Sequence, residues 1–183
     1  MHIGIDASRA FLRYRTGIEE YSYQVVKHLR DTIPSDRSVN LYVRKKLRIR
    51  SWKPVFIYPE IDFSLPNNWQ LRGIWAPRFW TQGGLSLEML LHPVDTLFVP
   101  AHTLPLIGGK RNMVTVHGLE YEVSPKSYGW LERLYMRISI RYSCLKADTI
   151  IAVSENTKKD LIRLYGVPEE KIVVIGEGFV EKE

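Results

Sequence analysis

Thr149-Ile150-Ile151-Ala152-Val153 runs without a break into Ser154 and a helical pattern, and this junction restricts the fold more than any other stretch. A strand wetted on one face alternates apolar and polar residues. An unbroken apolar strand is buried on both faces, as in parallel sheets covered by helices. Ser154 is placed to cap a helix to about Tyr165, with Gly166 as its stop and Pro168 just beyond. Lys171 to Ile175 then reads as a further strand.

The same alternation appears upstream. Ile3-Gly4-Ile5 reads as a short buried strand, followed by a helix from about Gly17 to Arg30. Ile18, Tyr21, Val25 and Leu29 recur there at spacings of three and four, one face of a helix. Thr16 with Glu19 three residues on has the capping-box pattern. Val39 to Val43 reads as a second strand and Val55 to Tyr58 as a third. Between Pro59 and Pro93, breakers surround Trp69, Trp75 and Trp80, and the expectation is short helices over Trp69 to Phe79 and Leu85 to Leu91. Thr96 to Val99 and Met113 to Val116 read as strands. A helix from about Tyr128 to Lys146 carries Leu131, Leu134, Ile138, Tyr142 and Leu145 on one face. The expected fold is α/β: a single Rossmann-like domain over 1–175, a parallel sheet flanked by helices.

At 183 residues, 45% hydrophobic and 25% charged, the chain has the size and composition of one globular domain. No uninterrupted apolar stretch is long enough for a spanning helix. The N-terminus lacks the basic segment and apolar core of a secretory signal, so a cytoplasmic location is expected, with peripheral contact at the inner membrane face left open. The single cysteine, Cys144, lies in an apolar helical pattern and reads as a core residue. No histidine spacing suggests a metal site. The net charge of +6 makes acidic partners more plausible than basic ones.

In parallel sheets, ligands bind beyond the carboxyl ends of the strands. Four segments fall there: Asp6 to Gly17 (with Arg9), Pro100-Ala101-His102, His117 to Glu120, and Ser154-Glu155-Asn156. Thr16-Gly17 opens a helix whose free N–H groups and dipole suit a phosphate, a role compatible with simple capping. His117, directly after an apolar strand, can donate a hydrogen bond or a proton, or be structural. Glu120 and Glu122 can orient it or a substrate hydroxyl, although surface solvation is the better explanation for Glu122. His102 is a weaker candidate. The run Arg44, Lys45, Lys46, Leu47, Arg48, Ile49, Arg50 reads as a solvated loop or as a docking patch for anionic lipid heads or a phosphorylated acceptor, with Trp52 beside it. Nucleic acid is not expected, since no RNA-binding module of a known type is present. The first strand–helix turn lacks G-x-G-x-x-G, which disfavours a dinucleotide oxidoreductase.

Ile3-Gly4-Ile5-Asp6-Ala7-Ser8-Arg9 with Thr16-Gly17-Ile18-Glu19-Glu20-Tyr21, Val114-Thr115-Val116-His117-Gly118-Leu119-Glu120-Tyr121, and Ala147 to Leu161 with Tyr165 to Ile172 resemble the N-terminal domain of family 4 glycosyltransferases. The resemblance implies one half of a GT-B fold and a retaining transfer from a nucleotide-activated sugar without a required metal. No cofactor is implied beyond that donor substrate, which is bound mainly by a C-terminal domain. Residues 176–183 would begin the interdomain linker, and the donor domain would belong to a longer form or to a partner subunit, this half being inactive alone. By the same resemblance Gly17 lies near the donor phosphates, His117 near the transferred sugar, and Ser154 begins the cleft-facing helix. Asp6, Arg9, His102 and Glu120 would face the acceptor, a glycan, lipid-linked or small molecule, with polysaccharide biosynthesis the expected setting. Where family members often carry aspartate after the histidine, this chain has Gly118. The alternative is a non-catalytic module that binds a glycan, an anionic lipid or a protein.

Overall fold

The computed structural model describes residues 1–50, 52–76, 78–123 and 127–178, and leaves the side chains of Arg50, Lys53, Pro54 and Val123 undescribed. The expected linker therefore lies partly outside the described residues, as does the side chain of Arg50 in the basic run. The chain packs as two units, Met1–Pro100 with Pro105–Asn112, and Ala101–Leu104 with Met113–Glu183.

In the first unit, β1 (His2–Asp6) leads through a loop to α1 (Gly17–Thr32) and on to β2 (Ser38–Arg44). The residues Val39 to Val43 are all buried, the signature of a strand covered on both faces. β2 lies parallel to β1, with Ile3 opposite Val39 and Ile5 opposite Leu41. Gly4 is required there: a Cβ would come within 2.8 Å of the Tyr42 ring. The basic run is not a loop. Arg44 ends β2, and Lys46–Arg50 forms β3, paired antiparallel with β4 (Lys53–Ile57) as a separate two-stranded sheet.

The helix expected over Trp69 to Phe79 is also absent, and Trp69–Ile74 is instead strand β5, parallel to β2. Its Trp69 and Ile74 are buried while Gln70 and Arg72 face outward, and burial against β2 outweighs the weak helical pattern. A π-helical turn (Trp80–Leu85) then continues into α2 (Ser86–Leu91), close to the second expected helix. β6 (Thr96–Val99) completes the unit's parallel order β5-β2-β1-β6. Trp69 and Trp80 belong to its core, whereas Trp75 is exposed.

The second unit holds most of β7 (Arg111–Val116), then α3 (Glu120–Val123), α4 (Trp130–Lys146), β8 (Thr149–Ala152), α5 (Glu155–Tyr165) and β9 (Ile172–Val174). The strands run parallel in the order β7-β8-β9, with Val114 opposite Ile150 and Ile150 opposite Ile172. Ser154 caps α5 by accepting from the Thr157 N–H at 3.1 Å. Gly166 ends the helix in the left-handed region, φ 62°, where glycine carries no Cβ penalty.

α4 turns the other way from its most obvious stripe. Leu131, Leu134, Ile138 and Leu145 are exposed, while Ser139, Ile140, Ser143 and Cys144 are buried. Buried serines cost little here because the Ser143 hydroxyl donates to the Ser139 carbonyl (2.7 Å) and accepts from the Leu104 N–H (2.9 Å). Cys144 is a core residue, and burial pushes its thiol up to about 12, too high for a thiolate at neutral pH. Parallel strands flanked by helices make the chain α/β and Rossmann-like.

Candidate functional site

Each unit gathers polar groups at the carboxyl ends of its own strands. In the first, Asp6 ends β1 buried, and its carboxylate accepts from the Ser8 N–H at 2.8 Å, which turns the chain away from the strand. Burial pushes the carboxyl pKa up, while the Ser8 hydrogen bonds and the charges of Arg9 and Arg44 pull it back. Arg9 reaches across the loop to Glu19 in the first turn of α1, 3.1 Å away. Glu19 also accepts from the N–H (3.3 Å) and the hydroxyl of Thr16, so the reach-back half of the capping box is in place. The Thr16 hydroxyl is the main cause of the lowered Glu19 pKa. At Gly17 a Cβ would meet no protein atom within 4 Å, so packing does not demand a glycine there.

In the second unit, His117 follows β7 with its side chain only 8% exposed. Its Nδ1 lies 2.5 Å from a carboxylate oxygen of Glu177, which follows β9. A carboxylate can only accept, so Nδ1 carries the proton, and in the neutral ring Nε2 is the basic nitrogen. The His117 N–H donates to Nδ1 of His102 at 3.4 Å, which puts the proton of neutral His102 on Nε2. The two rings meet edge to face, centroids 5.2 Å apart. The cap of α5 joins the group, since the Thr157 hydroxyl reaches both Ser154 Oγ (3.0 Å) and the His117 carbonyl (3.5 Å). Glu120 lies over Gly118, with a carboxylate oxygen where a Cβ at 118 would stand.

The structure thus brings together His102, His117, Glu120 and Ser154 in one unit, and Asp6, Arg9, Thr16 and Gly17 in the other. Arg44 ends β2 two residues beyond Tyr42, which pairs with Asp6 in the parallel β1, and its charge acts on Asp6, whereas Lys46 and Arg48 lie on β3 in the separate two-stranded sheet and Lys45 stands between β2 and β3. Sequence reasoning missed Glu177. The signal available was a lone acid in Gly176-Glu177-Gly178, just past a parallel strand. It also undervalued Glu122, which is not simply solvated. Arg137 grips it with two hydrogen bonds of 2.6 and 2.5 Å, and the Tyr165 hydroxyl donates to it at 2.9 Å. Arg137 is the chief reason its pKa is lowered.

A comparison with protein-family models matched residues 15–181 to Glycosyltransferase Family 4. The chain belongs to that family. A comparison with curated proteins found no match. The matched span of this family 4 domain takes in the Thr16–Gly17 helix start, His102, the His117–Glu177 pair, Glu120 and Ser154, while Asp6 and Arg9 lie before it.

Proposed function

We propose that this glycosyltransferase-like domain forms the acceptor side of a retaining sugar transfer from a nucleotide-sugar donor, with most of the donor held by a second domain, on the same chain or a partner subunit. The observation that carries this reading is His117, nearly buried beyond a parallel strand and fixed in one tautomer by Glu177. An imidazole so held presents a defined group to a sugar hydroxyl, and such positioning is the main lever in a transfer without covalent protein chemistry. Asp6, Arg9, His102 and Glu120 are assigned to the acceptor, which is a glycan, a lipid-linked sugar or a small molecule. The start of α1 at Thr16-Gly17 supplies N–H groups to the donor phosphates, where charge develops on the leaving diphosphate. No metal is required in this reading, and the setting is polysaccharide assembly on the cytoplasmic side.

The test is transfer from a panel of labelled nucleotide sugars to glycan and lipid-linked acceptors, with this chain paired to a family 4 donor-binding domain. Products that keep the anomeric configuration of the donor are expected. Inverted products contradict the retaining mechanism, and absence of transfer with every donor favours a non-catalytic binding module.

A further inference from the structure

We propose that the β3–β4 hairpin is a finger that docks into the surface of an anionic lipid bilayer. This inference does not depend on the sugar-transfer reading. Residues 45–59 contain five cations (Lys45, Lys46, Arg48, Arg50, Lys53) and no acid. Strand pairing runs from Lys46 opposite Ile57 to Arg50 opposite Lys53, with Trp52 just before β4 at the turn end of the hairpin. Opposed residues share a face, so Leu47 and Phe56 lie on one side, and Lys46, Arg48, Val55 and Ile57 on the other.

Both sides face solvent: Leu47, Val55, Phe56 and Ile57 are exposed, and Ile49 is 73% exposed. Trp52 at the tip is 98% exposed and has φ 64°, a conformation that normally selects glycine or asparagine. A bulky aromatic so fully exposed is suited to an external apolar medium. Two strands alone are marginal in water, so such a hairpin gains order from what it enters.

Charge decides the occupant. A second copy would bring the same cations into opposition. A nucleic acid offers stacking for Trp52 but nothing for Ile49, Leu47 and Val55. An anionic bilayer takes all of them, with the indole at the headgroup level, the aliphatic groups below, and the cations on lipid phosphates. Lys45 lays its Nζ over the Phe56 ring, 4.3 Å from the centroid, in the manner of an interfacial residue.

The experiment is cosedimentation of the full chain with vesicles of phosphatidylcholine, with or without one third phosphatidylglycerol. Binding to the anionic vesicles alone is expected, weakening steeply as salt rises. Lys46→Gln and Arg48→Gln are each expected to weaken it about fivefold. Ile49→Ser with Trp52→Ser should weaken it at least about tenfold, with unfolding temperature unchanged. As a second readout, Trp52→Cys carrying an environment-sensitive fluorophore should shift to the blue on anionic vesicles, and Cys144 is too buried to compete for the label. Undiminished binding of the Ile49/Trp52 variant, or no blue shift on bound protein, overturns the proposal. So does a self-association or an oligonucleotide affinity that the same substitutions abolish while vesicle binding stays absent.

Discussion

At the scale of single residues, Gly17 and Asp6 stand at opposite extremes of what the fold asks of them. Gly17 has open space around its missing Cβ. Gly17→Ala should leave the unfolding temperature equal or higher, because alanine favours the helix by up to about 1 kcal/mol. The same change should weaken sugar transfer if the α1 start meets the donor, and thermal unfolding beside a transfer assay separates the two effects. Asp6 is the opposite case, a buried carboxylate whose raised pKa makes its ionised form costly to the folded state. Because the folded pKa lies above the unfolded one, the folded chain binds more protons in that window, and stability falls as pH rises through it. Asp6→Asn should therefore stabilise the domain by about 0.5–2 kcal/mol at neutral pH, read in urea, while impairing acceptor use. A destabilised Asn variant would show that the carboxylate serves the fold through Ser8 instead.

At the scale of elements, ends and pairings rest on few polar anchors. Asp95 exchanges backbone hydrogen bonds with β1 and β7: its N–H donates to the His2 carbonyl (2.9 Å), and its carbonyl accepts from Arg111 (2.9 Å). Its carboxylate accepts from Lys110 and from the His2 N–H, each at 2.8 Å, which lowers its pKa to about 2. A depressed acid contributes stability above its unfolded pKa and loses it as pH falls through the folded value. Acid unfolding should thus include a component between about pH 4 and 2 that Asp95→Asn removes. Glu122 joins α3 to α4 and α5 through Arg137 and Tyr165, and Glu122→Gln should cost about 1–3 kcal/mol, measured by chemical unfolding.

The elements also show where sequence reading works. β8 with the capped α5 was legible because an unbroken apolar run has one comfortable environment and Ser154 and Gly166 mark the helix ends. β5 was not, since six residues containing Trp69, Leu71 and Ile74 fit either period, and only pairing with β2 decides. α4 was legible as a helix but not in its orientation. The small residues Ser139, Ser143 and Cys144 make the inner face, and periodicity weighs large apolar residues more heavily.

At the scale of the whole molecule, the chain is an α/β domain of Glycosyltransferase Family 4. The first unit carries the helix start and the basic hairpin, and the second carries the His117 group. Strand-end placement can be read from the sequence because parallel sheets direct it, and His102, His117 and Ser154 do stand beyond β6, β7 and β8. Glu177 was not, because its 60-residue separation from His117 is bridged only by the order of β7, β8 and β9. In the proposed transfer Glu177 acts through His117, as its positioning residue. A double-mutant cycle on kcat of sugar transfer, with His117→Ala, Glu177→Ala and the pair, tests it most directly. A loss of about 100-fold or more is expected for His117→Ala, a smaller loss for Glu177→Ala, and no loss beyond that of His117→Ala when both are changed. Multiplying losses in the double variant, or normal turnover without His117, would contradict it.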